Sequence, residues 1–545
     1  MLAPSPHAAE TRRLLLGVAL LVFAVGLLAQ SRERPWTDAT AVWEVAERLI
    51  SEHRIDIKTH WPYDAPAGRD GRFYAFNPAM GSLVHVPGAA VRLLVGRLWP
   101  SWSARVWPLA AHLAPAALGG VIAALFLLLA LEHGIGRRRA TFAALASAFG
   151  TTTWVYSRYP YTEIVQATAF LGAFLYLARL GRELKRRDGV VLGLWLSALL
   201  NTKMVLLAGF PLAALYLVRT HRAQGRTVLT VALAVGAGLV PGLVLAGWYN
   251  WARFGSAFSD GYAQTASVAL SGGSLINGLW GMLLSPGKSL FLYSPPLLAA
   301  CFGLPGLIRR RASTAVLMAL TVLPPILIHA RLSFWHGDFA WGPRYCVFAV
   351  PVLCLGLPFA IEAAVSVSSR AWRRAALALV WASLAGGLLV QLVGSAFYWD
   401  HFIRIGIDVR GRWLGESTLA GALVDGKGKC HVCTERLYGL HWLPQLQPIR
   451  GHLWLLRHVP FGHPWTRAEP DAPWHSDTSA VLDVADGYKR ARVDWWGLDF
   501  GSARGFAVCF AAVAVALGLW GLVLLRRGLV KPTPSEASEG DVRCA

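Results

Sequence analysis

Long apolar runs alternate along this chain with short breaks rich in arginine, glycine and proline. Twelve runs stand out: Leu14–Gln30, Pro108–Leu131, Thr141–Tyr156, Glu163–Leu180, Val190–Leu200, Met204–Val218, Val228–Tyr249, Phe291–Ile308, Ser313–His329, Cys346–Ala364, Ala375–Phe397 and Phe506–Leu525. Runs of this length and polarity predict membrane-crossing helices. Basic clusters fall in alternate breaks, at Arg12/Arg13, Arg137–Arg139, Arg182–Arg187, Arg219–Arg226, Arg309–Arg311, Arg370–Arg374 and Arg526/Arg527. The positive-inside rule places all of them in the cytoplasm. The alternation also decides one ambiguous run. Read as one helix, Val190–Val218 would put basic clusters on both faces of the membrane. A break at Asn201–Lys203 restores the pattern and predicts two short spans, tilted or re-entrant.

The expected architecture is therefore an all-α polytopic membrane protein with about twelve transmembrane helices and both termini cytoplasmic. Residues 1–398 form the transmembrane body. Two large segments, Ser31–Trp107 and Trp399–Ala503, lie outside. Residues 504–526 make the last span, and 527–545, with Pro532, Pro534 and Ser535, read as a disordered cytoplasmic tail. The first run follows Arg12 and Arg13 with no small-residue cleavage site behind it, which predicts a retained anchor in a cell membrane.

Composition supports this frame: 55% of the 545 residues are hydrophobic. The net charge is +21, and arginine far outnumbers lysine. In a soluble protein that excess would suggest nucleic acid. Here the clusters sit between apolar runs and orient the chain, so the partners expected are membrane lipids and no nucleic acid. Cys301, Cys346, Cys354 and Cys509 lie in apolar runs. Cys430 and Cys433 form a CHVC in the second outer segment. That is half a zinc site with no second pair, so a local disulfide is expected.

The polar chemistry concentrates in the predicted outer segments. Phe334–Tyr345, FWHGDFAWGPRY, packs Asp338, Arg344, several aromatics and Gly/Pro breakers between two apolar runs. It predicts an ordered connector at a membrane surface. Its charges suit a phosphate, and Trp335, Trp341 and Tyr345 suit a sugar or prenyl face. The plainer role is an interfacial aromatic belt with a snorkelling arginine. Asp38 opens WTDATAVWEVAERLI, where Val42, Val45, Leu49 and Ile50 recur at helical spacing. This predicts an amphipathic helix lying on the membrane. Asp38 is either its N-cap or a general base at the water–lipid boundary. Asp70-Gly71 marks a turn, and Met80, Leu83, Val84, Ala90, Val91 and Leu94 predict a second membrane-lying helix. Glu163 stands where the fourth span begins, a place that also suits a carboxylate electrostatically. Lys203 lies at an outer apex, where it either snorkels or meets an anion. Lys288 follows a Ser-Pro-Gly turn just before a span, on the side where topological lysines are uncommon. It suits a lipid-linked phosphate.

Together these segments resemble the integral-membrane glycosyltransferases of the GT-C fold. The nearest branch is the bacterial phospholipid-carrier-dependent group related to protein O-mannosyltransferases and aminoarabinose transferases. The resemblance covers roughly the first four hundred residues. It rests on the order of motifs: the outer Asp38 with its helix, DGRFY at 70–74, a Ser157-Arg158…Glu163 turn, Asn250-x-x-Arg253-Phe254-Gly255…Gly261-Tyr262, Ser285-Pro286-Gly287-Lys288…Ser294-Pro295, and Trp335-x-Gly337…Trp341-Gly342-Pro343-Arg344-Tyr345. Two places depart from that pattern. Asp38-Ala39 stands where relatives often have Asp-Glu, and Phe76-Asn77-Pro78-Ala79 where they tend to have a Pro-Pro pair.

The resemblance implies an inverting transfer of a sugar, hexosyl or pentosyl, from a polyprenyl-phosphate carrier on the outer face. Asp38 would be the catalytic base. Glu163 and Asp338 would bind acceptor or a divalent metal. Lys288, Arg344 and Lys203 would contact the carrier phosphate. A lipid-linked polysaccharide polymerase or ligase shares the donor and stays open as an alternative. A transporter or flippase predicts charges buried within the spans, which are few here. The acceptor is not legible.

Overall fold

The computed structural model describes residues 6–33, 38–58, 66–262, 272–337, 339–413, 438–458, 493–495 and 504–529. Asp338, Cys430, Cys433 and the tail from 530 onward lie outside the described residues. The described chain is helical, with isolated bridges at Ile57–Phe73 and Ala67–Phe73. Its helices are α1 (Pro6–Leu28), α2 (Asp38–Ser51), α3 (Ala79–Leu83), α4 (Val86–Leu98), α5 (Ser103–Glu132), α6 (Arg137–Gly150), α7 (Thr152–Tyr156), α8 (Thr162–Leu180), α9 (Arg186–Leu200), α10 (Phe210–Thr220) and α11 (Gly225–Phe254). There follow α12 (Leu275–Leu284), α13 (Leu290–Tyr293), α14 (Pro296–Arg310), α15 (Ala312–Arg331), α16 (Val350–Leu353), α17 (Leu357–Val365), α18 (Arg370–Ala396), α19 (Trp399–Trp413), α20 (Pro448–His458) and α21 (Arg504–Leu529).

Every one of the twelve apolar runs falls on helix. By length and apolarity alone, however, eight helical segments among the described residues are fit to cross a membrane. One of these, Ala79–Leu98, is the expected membrane-lying helix. It is broken into α3 and α4 around Val84 and His85. Five expected spans are instead shorter or interrupted helices, as at α6–α7, α9, α10, α13–α14 and α16–α17. The outward faces remain apolar: Leu233, Val244 and Trp248 on α11 and Leu379 and Trp381 on α18 are exposed. Exposed apolar faces of this extent suit lipid rather than water.

The split at Asn201 is real. Helix α9 stops at Leu200, and Asn201 Nδ2 donates to Ser197 O and to Gly242 O, both at 2.9 Å. Small residues let α9 meet α11 closely: a Cβ on Gly193 would lie 2.2 Å from Val235 O. The first and last helices meet the same way, with Gly17 against Gly521.

The basic turns gather at one end of the bundle. Arg137 pairs with Glu10, Arg179 and Arg182 with Glu132, and Arg139 and Arg310 with Glu362. The polar segments singled out above meet at the other end. Met80 N bonds Asn201 O at 2.8 Å, and Arg253 Nη1 bonds Ala75 O at 2.7 Å. Arg253 thus fastens the first large loop to the end of α11, which Gly255 closes at φ 79°. The predicted Asp70-Gly71 turn forms, with Asp70 accepting from Arg72 N and Tyr74 OH.

The connector after α15 turns on two glycines with positive φ, Gly337 at 67° and Gly342 at 63°. A Cβ on Gly342 would meet the Tyr293 ring at 2.6 Å. Gly342→Ala therefore carries both backbone strain and a clash, and is expected to cost about 2 kcal/mol or more. Gly236→Ala, on the open face of α11 with no neighbour within 4 Å, is its control. Melting temperatures of the two purified variants in detergent check this: Gly342→Ala should melt clearly lower and Gly236→Ala close to the parent.

Candidate functional site

Three residues far apart in sequence are joined at the motif-bearing end. Asp38 opens α2 and Glu163 lies in the first turn of α8. Arg344 leaves the 334–345 connector between them. Its Nη2 donates to Asp38 Oδ2 and its Nε to Glu163 Oε1, both at 2.5 Å. A guanidinium reaches two carboxylates at once because its donors form a rigid planar fork. The environment is uneven. Glu163 is 1% exposed, while the Asp38 side chain is 33% exposed. Burial works against the Arg344 charge, but Glu163 and Asp38 more than offset it and raise its pKa well above the ordinary arginine value. Glu163 Oε2 has no hydrogen-bond partner among the described residues, and the Arg344 bond to Asp38 is made at Oδ2.

Lys203 stands beside this trio. Its ammonium lies 4.2 Å from the centroid of the Tyr345 ring and interacts electrostatically with Glu163, Arg344 and Asp38. No carboxylate among the described residues lies within ion-pairing distance of it. Burial, only partly countered by Glu163, pushes its pKa down to about 8.

The connector is itself heavily held. Three successive carbonyls each accept from a different element: Phe339 O from Trp399 Nε1 at 3.0 Å, Ala340 O from Lys288 Nζ at 2.7 Å, and Trp341 O from Tyr156 OH at 3.1 Å. Irregular backbone buried within the protein, as at Ala340 and Trp341, needs such partners. Lys288 is fully buried, and its Nζ donates to the connector backbone at Ala340 O. Trp335 and Trp341 are buried too. Trp335 packs edge-on against Tyr438 and His441 and lies tilted against Trp442. Trp341 packs against Tyr293 and, on α20, His452. Their neighbours are protein rings, not solvent. Tyr345 lies differently, stacked on His329 with centroids 4.6 Å apart.

A second buried network was not anticipated from sequence. Asp494 accepts from Ser31 Oγ at 2.5 Å, from Arg32 N at 3.0 Å and from Tyr159 OH. Arg158 Nη2 donates to Asp494 O at 2.6 Å and its Nη1 to Ser395 O at 2.8 Å. The ends of α1, α18 and the turn before Glu163 are thereby tied to residues 493–495. The only sequence signal was one acidic residue among many in a long polar segment. Among the described residues no group of three or more His, Cys, Asp or Glu side chains comes together as a metal site. Asp338 and the Cys430–Cys433 pair lie outside the described residues.

Comparison with known proteins adds the following. No family model matches the chain, and no curated protein matches it in sequence. Among solved structures, the fold is similar to a crystal structure of ArnT from Cupriavidus metallidurans bound to undecaprenyl phosphate. Identity is 15%, with 87% of each chain covered and a TM-score of 0.49. It is also similar to the archaeal oligosaccharyltransferase AglB from Archaeoglobus fulgidus in complex with an inhibitory peptide and a dolichol-phosphate. There identity is 12%, with 72% of this chain and 57% of the other covered and a TM-score of 0.40. Values this low assign no reaction to the present chain.

The Arg344 bridge makes a prediction independent of any activity. Arg344→Met would leave two carboxylates adjacent, one of them buried, without their cation. Breaking a buried pair from one side costs about 3 kcal/mol or more. Adding Glu163→Gln removes the stranded charge. In a double-mutant cycle read by thermal unfolding, the single variant should melt well below the parent and the double variant should recover much of the loss.

Proposed function

We propose that this protein is a glycosyltransferase. It moves a hexosyl or pentosyl group from a polyprenyl-phosphate carrier to an acceptor on the outer face of the cell membrane, with inversion. One observation carries this reading. A partly exposed carboxylate, Asp38, is fixed by an arginine that is anchored on a buried carboxylate, with an ammonium alongside that has no carboxylate partner among the described residues, all at the end of the bundle away from the basic turns. The positive-inside rule makes that end the outer one, so the termini are cytoplasmic.

In the proposed step the acceptor hydroxyl gives its proton to Asp38 Oδ1 while its oxygen attacks the anomeric carbon. The bond from that carbon to the phosphate oxygen breaks, and its electron pair stays on the phosphate. Arg344 holds Asp38 in place and remains charged throughout. Lys203 receives the phosphate. Lys288 belongs to the support of the connector. Trp335 and Trp341 do likewise, while the Tyr345 ring is left to line the site with Lys203.

Asp38→Asn keeps shape but is not a base. In nanodiscs with a synthetic polyprenyl-phosphate sugar and a cell-envelope extract as acceptor source, it should melt like the parent. It should lower release of polyprenyl phosphate by about a hundredfold or more. Near-parental turnover would remove Asp38 from the role of base.

Lys203 adds a pH test. Its pKa in the folded protein lies near 8, so its ammonium is present below that pH and lost above it. Binding of polyprenyl phosphate should therefore weaken as pH rises from 7 to 9. In Lys203→Arg, whose charge persists, the decline should disappear. Titrations of affinity against pH for both proteins decide the matter.

A further inference from the structure

His329 is one of the buried histidines that the mechanism above leaves unused, and it stands beside Tyr345 and Lys203. It lies in the last turn of α15 and is 2% exposed. Its Nδ1 lies 2.8 Å from Pro325 O. A carbonyl only accepts, so Nδ1 carries the proton and the neutral ring offers a lone pair at Nε2. That Nε2 is buried and has no hydrogen-bond partner among the described residues. A buried polar atom without a partner is unfavourable and calls for an explanation.

The surroundings narrow the explanation. The ring is stacked on Tyr345 with an interplanar angle of 21°. The same Tyr345 ring lies under the Lys203 ammonium, and the Lys203 charge acts on His329. Lys203 in turn interacts with Asp38, Glu163 and Arg344. An acceptor and a cationic donor thus flank one aromatic ring next to the carboxylate bridge. A phosphodiester satisfies Lys203 but has no hydrogen to give His329. What satisfies Nε2 must carry an O–H or N–H. The acceptor's reacting hydroxyl is committed to Asp38. A hydroxyl or amine on the sugar that the phosphate carries would meet this need.

We propose that His329 is a specificity residue: its Nε2 accepts a hydrogen bond from the donor sugar while Lys203 holds the adjoining phosphate, with Tyr345 between them. The inference rests on the glycosyltransferase reading for the identity of the donor, but its test is one of binding and does not require transfer.

The variant is His329→Phe. It keeps a flat ring against Tyr345 and removes the orphan acceptor. Pro325 O keeps its ordinary helical partner, so the fold should be undisturbed and the melting temperature equal or higher. His329→Gln, which restores an acceptor near the Nε2 position, is the rescue. The probes are a short polyprenyl phosphate, bare or linked to glucose, mannose, galactose or arabinose, with single-deoxy forms of whichever sugar binds best. Affinities are measured in nanodiscs.

The parent should bind at least one sugar-loaded lipid more tightly than the bare one. His329→Phe should lose about tenfold toward that lipid and nothing toward the bare phosphate, and His329→Gln should recover part of the loss. One single-deoxy donor should bind parent and His329→Phe alike. Lys203→Met should weaken bare and loaded lipids together. Equal losses toward bare and loaded lipids in His329→Phe would overturn the proposal. So would no preference for any of the four sugars in the parent. If the binding pattern holds but no sugar is ever transferred, the transferase reading falls and the sugar subsite stands. If transfer occurs and His329→Phe is indifferent to the sugar, the reverse is true.

Discussion

The Arg344 fork is the constraint around which this end of the molecule is arranged. Two carboxylates from helices more than a hundred residues apart share one guanidinium. A buried arrangement of this kind is favourable only if its geometry is held, because the loss of hydration is large for each ion. The holding is done by backbone. Arg344 sits on a connector bent by Gly337 and Gly342, whose carbonyls at 339, 340 and 341 are each taken by a side chain from elsewhere. Lys288, Tyr156 and Trp399 are thus distant in sequence but act on one object.

This arrangement also gives the described pieces of residues 399–503 a place. Trp399 bonds the connector, the Tyr438–Trp442 region encloses Trp335, and α20 covers Trp341. Asp494 ties the end of α1 to the turn that leads into Glu163. The described parts of residues 399–503 are therefore packed onto the connector and the Glu163 turn.

The spans were legible because lipid imposes a strong rule: apolar, helical and bounded by charge. Even the break at Asn201 followed from the alternation of basic clusters. Their lengths were less legible. A short helix such as α9 shows the same apolarity as a full crossing, and only packing against α11 through Gly193 and Ser197 explains how it is accommodated. In the site, Asp38, Glu163 and Arg344 were visible as charges where apolar residues would suffice. That Arg344 bridges the two carboxylates was not, since pairing across three hundred residues leaves no local pattern. The surroundings of the tryptophans were hidden for a related reason. An aromatic that faces a ligand and one that faces another ring look alike in sequence, and Trp335 and Trp341 face protein. His329 was invisible because a histidine at the end of an apolar run is usually a satisfied core residue, and only its stacking on Tyr345 beside Lys203 sets it apart.

Charge balance gives the arrangement its logic under the proposed reaction. With Asp38 and Glu163 ionised and Arg344 and Lys203 protonated, the four groups sum to zero. A bound phosphodiester adds one negative charge. Transfer neutralises Asp38 by protonation and adds a negative charge to the departing phosphate, so the total is unchanged and one charge has moved from carboxylate to phosphate. The groups that stabilise the reaction must therefore lie between its two ends and stay charged throughout. Arg344 meets the second requirement because Glu163 is a counterion that takes no part in the proton transfer. A lysine in its place would have a compact head with no planar fork and would reach both carboxylates poorly. Lys203, with no carboxylate within ion-pairing distance among the described residues, would meet the charge where it arrives. A site built with one anchored cation and one uncommitted cation favours movement of charge in a fixed direction, and that asymmetry is what the buried Glu163 contributes.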